Sequence, residues 1–158
     1  MLMRSRKHSP IPCELASHPK FYFFDAGVFR ANRPVGPLDS PEEVTGGVLG
    51  GLVAQHLRAW RDYSQGNHRV FYWQTRSQVE VDFVVYGQSG LYAVEVKNSG
   101  QIHPEDLRSL RSFGDDYPGS RRYFVYRGKT RLVQNGVLCL PCEEFLLSLR
   151  PGENWANS

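Results

Sequence analysis

An α/β or α+β sandwich around a mixed β-sheet is the fold class this sequence predicts, and three observations carry it. Short runs dense in Val, Phe, Tyr and Trp recur at strand length, as in RVFYWQT (69–75) and RRYFVY (121–126). Two stretches, 40–62 and 104–113, instead repeat their apolar residues at helical spacing. The order is helix, three strands, helix, then further strands, which layers helices on a sheet. With 158 residues, 41% hydrophobic and 13% aromatic, the chain is long and apolar enough for one domain with a real core.

Residues 1–19 mix Pro, Ser and charge and read as a flexible basic arm or linker, so the folded domain is placed at 20–158. Lys20–Phe24 (KFYFF) reads as a short aromatic strand ending at Asp25. AGVFRAN follows as one or two helical turns before a Pro- and Gly-containing loop at 33–39. Ser40-Pro41-Glu42-Glu43 is a helix start: Ser40 can cap, Pro41 suits the first helical position, and Glu43 completes an S-x-x-E box. The helix runs to about Asp62, with Val44, Val48, Leu52 and Gln55/His56 along one side and Val53, Leu57 and Trp60 widening the stripe. Its four glycines, at 46, 47, 50 and 51, each cost up to ~1 kcal/mol against Ala, so the helix is expected to pack closely on something. Strands follow at Arg69–Thr75, Val79–Tyr86 and Leu91–Lys97, then a helix over Pro104–Phe113 with Leu107, Leu110 and Phe113 inward. Arg121–Tyr126 is a fourth strand, Arg131–Cys139 a fifth and sixth around Asn135-Gly136, and Glu143–Leu149 a closing helix.

No apolar run reaches the ~18–20 residues that span a bilayer. The first twenty residues also lack the continuous apolar core of a secretory signal, so a cytoplasmic protein with no membrane contact is expected. The net charge of +3 belongs to the arm. Residues 1–20 hold Arg4, Arg6, Lys7 and Lys20 against Glu14, while the rest of the chain carries fifteen cations and fifteen acids. A neutral body argues against tight non-specific nucleic-acid binding, which needs clustered phosphate contacts, but leaves room for a local basic groove. Three cysteines, Cys13, Cys139 and Cys142, do not make a disulfide framework. Cys139-Leu-Pro-Cys142 fits C-x-x-C, yet a structural zinc needs about four ligands and no second Cys/His pair has suitable spacing. Cys139 is expected to end a strand and Pro141 to open the last helix.

The unusual stretch is VEVDFVVYGQSGLYAVEVK (79–97), the most hydrophobic pair of strands and yet the bearer of Glu80, Asp82, Glu95 and Lys97. Side chains alternate along a strand, which sorts Glu80 and Asp82 to one face, away from Val79, Val81 and Phe83. Leu91, Ala93, Glu95 and Lys97 share a face opposite Tyr92, Val94 and Val96. A hairpin turning at Gln88-Ser89 sets Asp82 opposite Glu95 and Glu80 opposite Lys97. Like charges facing each other destabilise a sheet. A divalent cation between the carboxylates would reverse that sign, and Mg²⁺ takes one or two carboxylates with waters and phosphates. The alternative from spacing alone is a solvated charged face with a weak Glu80–Lys97 pair.

Asp82, twelve residues, then Glu95-Val96-Lys97 resembles the core of the PD-(D/E)XK nucleases, in which the Asp sits on one strand and E-x-K on its hairpin partner. More specifically, four segments resemble, in the right order, the domain of unknown function found at the C-terminus of prokaryotic AAA-type ATPases. They are PKFYFFDAGV (19–28), FYWQTRSQVEVDFVV (71–85), AVEVKNS (93–99) and EDLRSLRSF (105–113). The resemblance implies a restriction-endonuclease-like core, a mixed sheet flanked by helices. It implies Mg²⁺ or Mn²⁺ held by Asp82, Glu95 and the backbone carbonyl of Val96, with Asp82, Glu95 and Lys97 as the catalytic set and Lys97 positioning or activating water. It also implies a nucleic-acid substrate and an AAA-type ATPase module as partner. Related domains carry a first-helix glutamate in a pattern like G-x-L-x-E-x-x-V-x-x-E-L. Matching Val53 and Leu57 to it puts Gly50 at the glutamate and His56 at the later acid. No G-x-x-x-x-G-K-[ST] occurs, so the chain carries no ATP-binding loop of that kind.

Two functions follow as expectations: a metal-dependent nuclease-like domain hydrolysing nucleic-acid phosphodiesters, or a catalytically inactive nuclease-fold binding module of an AAA-type ATPase. Gln74 and Arg76 read as strand-end polar residues with a phosphate contact as the alternative. Asp25 reads as a cap, His56 as a structural histidine with a place near the metal as the alternative, and His103-Pro104 as a helix start. The tail's Arg4, Arg6 and Lys7 read as a solvated arm.

Overall fold

The structure is a computed structural model that describes Tyr22 and residues 41–153, with side chains from residue 46 onward. The expected arm, the KFYFF strand apart from Tyr22, Asp25, the 33–39 loop, the Ser40 cap and Cys13 lie outside the described residues. Helix α1 spans Pro41–Tyr63. Strands β1 (Arg69–Gln74), β2 (Glu80–Gly87) and β3 (Gly90–Lys97) follow. A 3-10 turn at Pro104–Leu107 runs into α2 (Arg108–Asp116). The chain continues through β4 (Arg121–Tyr126), β5 (Leu132–Gln134), β6 (Val137–Pro141) and α3 (Cys142–Ser148).

The six strands form one mixed sheet in the order β1-β2-β3-β4-β6-β5. Two-residue turns at Gln88-Ser89 and Asn135-Gly136 can only return the chain beside itself, so β2–β3 and β5–β6 are antiparallel. Between β3 and β4 the chain travels through α2, long enough to cross over, and β4 lies parallel to β3. β6 is parallel to β4 in turn. The class is mixed α+β, as the order of periodicities predicts.

Helices cover both faces. On the first, Val53, Leu57 and Trp60 of α1 and Phe145 of α3 pack against Phe83, Val85, Tyr92, Val94, Tyr123 and Val125. On the second, Leu107, Leu110 and Phe113 pack against Val81, Val84, Ala93, Phe124 and Cys139. The three inward residues of the second helix are the ones the periodicity names. In α1 the centre of the buried stripe is Leu49, Val53, Leu57 and Trp60, while His56 is exposed. The 48-52-55/56 row, expected to lead, is the flank, and the row with Val53, Leu57 and Trp60, expected only to widen the stripe, faces the sheet.

Tyr22 belongs to no strand. Its ring packs on Phe83, centroids 5.2 Å apart, and adds area to the first layer rather than a ladder. The strand runs two residues further than expected: Cys139 sits in the middle of β6, Pro141 ends it and caps α3, and Cys142 opens that helix. Cys139 faces the second layer and Cys142 the first, both are free thiols, and burial pushes both pKa values up.

Candidate functional site

The β2–β3 hairpin adopts the expected register, with Gly87 beside Gly90, Val85 beside Tyr92 and Phe83 beside Val94. Paired residues stop at Phe83 and Val94. On its other side β2 changes register against β1, Phe71 facing Val84 but Trp73 facing Val81, so that Tyr72 faces both Asp82 and Phe83. This is a β-bulge, and its extra residue bends the strand. The bulge breaks the simple alternation: Val81 and Val84 both pack in the second layer, whereas Phe83 and Val85 pack in the first. Val81 and Phe83 therefore do not share a face, contrary to the period-2 expectation. One inserted residue at Asp82 is the cause.

Beyond the last ladder pair, side chains take over. The Asp82 carboxylate accepts a hydrogen bond from the Val96 N–H at 3.0 Å. The Glu95 carboxylate accepts one from the Asp82 N–H at 3.3 Å. Each acid thus bonds the backbone of the opposite strand, and both are held in the gap where β2 and β3 part. Both residues are partly buried. The sequence expectation brought Asp82 and Glu95 together, and the structure does the same.

Lys97 departs from expectation. Its ammonium lies 3.1 Å from Asp106 Oδ1, so Asp106 rather than Glu80 is its partner here. Glu80 instead stands beside Gln74, whose side-chain amide donates to it at 3.4 Å. The reason is geometric: the strands separate past Phe83, while Lys97 alternates with Leu91 and Ala93 toward the second layer, where the 3-10 turn lies. Asp106 is 7% exposed in its side chain and Lys97 54%. Asp106 Oδ2 also accepts the His103 N–H at 3.0 Å, and the Asp106 N–H returns to the His103 carbonyl at 3.0 Å. Asp106 is the residue sequence reasoning missed. Its signal was present in His103-Pro104-Glu105-Asp106, a helix start with an acid at the third helical position.

The remaining candidates do not converge on the acids. His56 turns its Nδ1 to the Leu52 carbonyl at 2.9 Å, within its own exposed helix turn. Gly50 faces Tyr22, and a Cβ there would touch that ring at 3.6 Å. Tyr22 in turn covers Phe83, the neighbour of Asp82. A carboxylate at position 50 would therefore meet an aromatic ring before it met the acids. Gln74 donates to Gln78 at 3.0 Å as a strand-end residue does.

Among the described residues no group of three or more His, Cys, Asp or Glu side chains is placed to share a metal ion. The donor set is two carboxylates from adjacent strands, which suits Mg²⁺ or Mn²⁺, since such ions complete their shell with waters and phosphate oxygens. It does not suit zinc, which wants about four N or S ligands in a structural site. No helix among the described residues is long and apolar enough to cross a membrane.

No curated protein matches the sequence. Residues 45–145, which hold the bulge, both acids, Lys97 and Asp106, match the model of the domain of unknown function DUF4143, and the chain belongs to that family.

Proposed function

We propose that this chain is a metal-dependent, nuclease-like domain with a restriction-endonuclease-like core, hydrolysing nucleic-acid phosphodiesters at Asp82, Glu95 and Lys97. The observation that supports it most is the reciprocal pair of carboxylate-to-backbone bonds at the bulge. Those bonds bring two acids of adjacent strands to one place, a like-charge arrangement that a divalent cation between them would offset. Asp82, Glu95 and the Val96 carbonyl would hold Mg²⁺ or Mn²⁺, which when bound polarises the phosphate and acidifies water. The Val96 and Asp82 N–H groups aim one oxygen of each carboxylate, leaving their orientation little freedom. Lys97, half exposed and steadied by Asp106, offers a positive charge to the phosphate as negative charge builds on it. In the reaction the water oxygen bonds to phosphorus, the ester P–O bond breaks, and the leaving oxygen takes a proton.

A second reading has one observation of its own. Lys97 is committed to Asp106, and a paired lysine is less available to water or phosphate. On that reading the domain is a catalytically inactive nuclease fold that serves as the binding or regulatory module of an AAA-type ATPase. Both readings place the protein in the cytoplasm.

Calorimetric titration with Mn²⁺ separates them. The enzyme reading expects one site, lost in Asp82→Ala, and cleavage of single- or double-stranded oligonucleotides that Lys97→Ala abolishes. No binding up to millimolar metal removes the enzyme reading, and metal-dependent cleavage removes the inert one.

A further inference from the structure

We infer that the cleft outside the β2–β3 turn binds an uncharged sugar ring, with Tyr63 as its stacking platform and the Ser64 and Ser89 hydroxyls as donors to its oxygens. The cleft lies at the other end of the hairpin from the acids, roughly 17 Å along β2 from Asp82 to Gly87. It stands whether or not those acids hold a metal.

Segments far apart in sequence build the cleft: the last turn of α1, the connection to β1, the β2–β3 turn and residues 151–153 beyond α3. It encloses about 450 Å³, a size that suits a small ligand. Its walls are tied to one another. The Trp60 indole N–H donates to the Glu153 carbonyl at 3.3 Å, and the Gly152 N–H donates to Ser64 Oγ at 3.2 Å. On the opposite wall His68 Nε2 meets Ser89 Oγ at 2.9 Å, with the imidazole resting on Trp60. A Cβ at Gly66 or at Gly87 would overlap that imidazole, so the ring is held between two residues without side chains. A cleft tied in this way leaves little ordering for a ligand to impose.

Those bonds also decide what the polar groups can offer. Ser64 Oγ already receives an N–H, so its own O–H is left to donate. The state of Ser89 follows from His68. Nδ1 of His68 is buried without a partner, and buried N–H groups lacking an acceptor are rarer than under-satisfied acceptors. The proton therefore belongs on Nε2, Ser89 Oγ accepts it, and the Ser89 O–H also remains to donate. The exposed amides of Gln65 and Gln88 add a donor and an acceptor each.

Charge narrows the ligand. Among the described residues the lining holds no Lys or Arg, and Glu153 is its one acid, so a phosphate or carboxylate would enter without a counter-ion. Aromatic surface narrows it again. Trp60 and His68 cover each other, which leaves Tyr63, 76% exposed, as the lining ring with an open face. A flipped nucleobase is held between two flat side chains. A sugar ring needs one aromatic surface for its C–H face and polar partners around its edge, which is the set present here.

Titration of the ¹⁵N-labelled full chain with maltose, cellobiose and N,N′-diacetylchitobiose, followed by amide chemical shifts, tests the site. At least one of these sugars should move the Ser64, Ser89 and Gly152 amides along a saturable curve, while inorganic phosphate should not. Tyr63→Ala should weaken that binding roughly three- to tenfold, and Gln88→Ala by a similar factor. Tyr86→Ala is the control: it too removes an exposed ring, but Tyr86 pairs with Leu91, which packs in the second layer, and it should leave the affinity unchanged. No shift at those amides with any of the three sugars up to tens of millimolar overturns the site. Equal losses in Tyr63→Ala and Tyr86→Ala do the same. Tighter binding of adenosine or of phosphate than of any sugar assigns the cleft to another ligand and overturns the sugar reading.

Discussion

The two ends of the β2–β3 hairpin are built on opposite principles. At the turn the ladder is complete to Gly87 and Gly90, and other groups close over it. His68 reaches Ser89 Oγ at 2.9 Å and lies against the Trp60 ring, centroids 4.4 Å apart. The Tyr92 hydroxyl donates to the Ser89 carbonyl. At the other end ladder pairing stops, and acids take its place as acceptors of backbone N–H groups. Charge-assisted bonds of that kind are individually strong, but they bring two negative groups to one gap. One end is arranged for closure. The other gathers two carboxylates where β2 and β3 part, and departures from the simplest pairing are where function is expected.

The largest way to break the contrast is to remove the residue between the two ends. Phe83 is fully buried, beside Asp82 in sequence, and packs on Tyr22. Phe83→Ala is expected to lower unfolding free energy by about 3–5 kcal/mol, read from urea denaturation. Gly87→Ala comes next. A Cβ at Gly87 would overlap the His68 ring, so the imidazole must leave its seat, at about 1–3 kcal/mol. If Gly87→Ala is neutral, the closed end is not clamped as described.

Asp82→Asn sharpens the contrast from the other side. The amide oxygen can still accept the Val96 N–H, while the charge facing Glu95 is gone. Without metal, stability should stay within ~1 kcal/mol of the unaltered chain or rise, since like charges opposite each other are unfavourable. On the metal-dependent reading, Mn²⁺ should raise the Tm of the unaltered chain and leave that of Asp82→Asn unchanged. A loss of several kcal/mol without metal would show that the acids are structural. Asp106→Ala should be milder, about 0.5–2 kcal/mol, because it removes a cap-type bond to His103. Asp106→Asn should recover most of that loss, as the ion pair with half-exposed Lys97 adds little.

How much of this was legible in the sequence depended on which interactions are local. Strand and helix positions followed from periodicity, and the hairpin register followed from a two-residue turn, because both are set within a few residues. Leu107, Leu110 and Phe113 were readable as core for the same reason. The bulge was not, since alternation in VEVD gives way to the apolar run FVV, which any strand buried on both faces shows, and only the pairing with β1 reveals the extra residue. The choice of Asp106 over Glu80 by Lys97 was equally hidden. It depends on where the crossover sets the 3-10 turn against β3, a contact between segments nine residues apart with no periodic trace. The inward face of α1 lay between these cases: its stripe was visible, but which row led depended on the sheet below.

The smallest predicted effect concerns pH and belongs to the closed end. Burial lowers the pKa of His68 below its ordinary 6.5. In the unfolded chain the imidazole takes up a proton as pH falls through that ordinary value, while the folded chain resists. The unfolded state then binds more protons, so stability falls with decreasing pH below about 6.5, until the folded imidazole also titrates. Above that value both states are neutral and His68 contributes no slope. Urea midpoints between about pH 5 and 8 should therefore decline on the acid side, and His68→Gln should flatten part of that decline. His56 stands on an exposed helix turn, so His56→Gln is the control, expected to leave the decline in place. If the two variants behave alike, the imidazole is not seated between Trp60 and Ser89. The closed end would then owe its order to the Gly87–Gly90 turn alone, and the two ends would differ only in their acids.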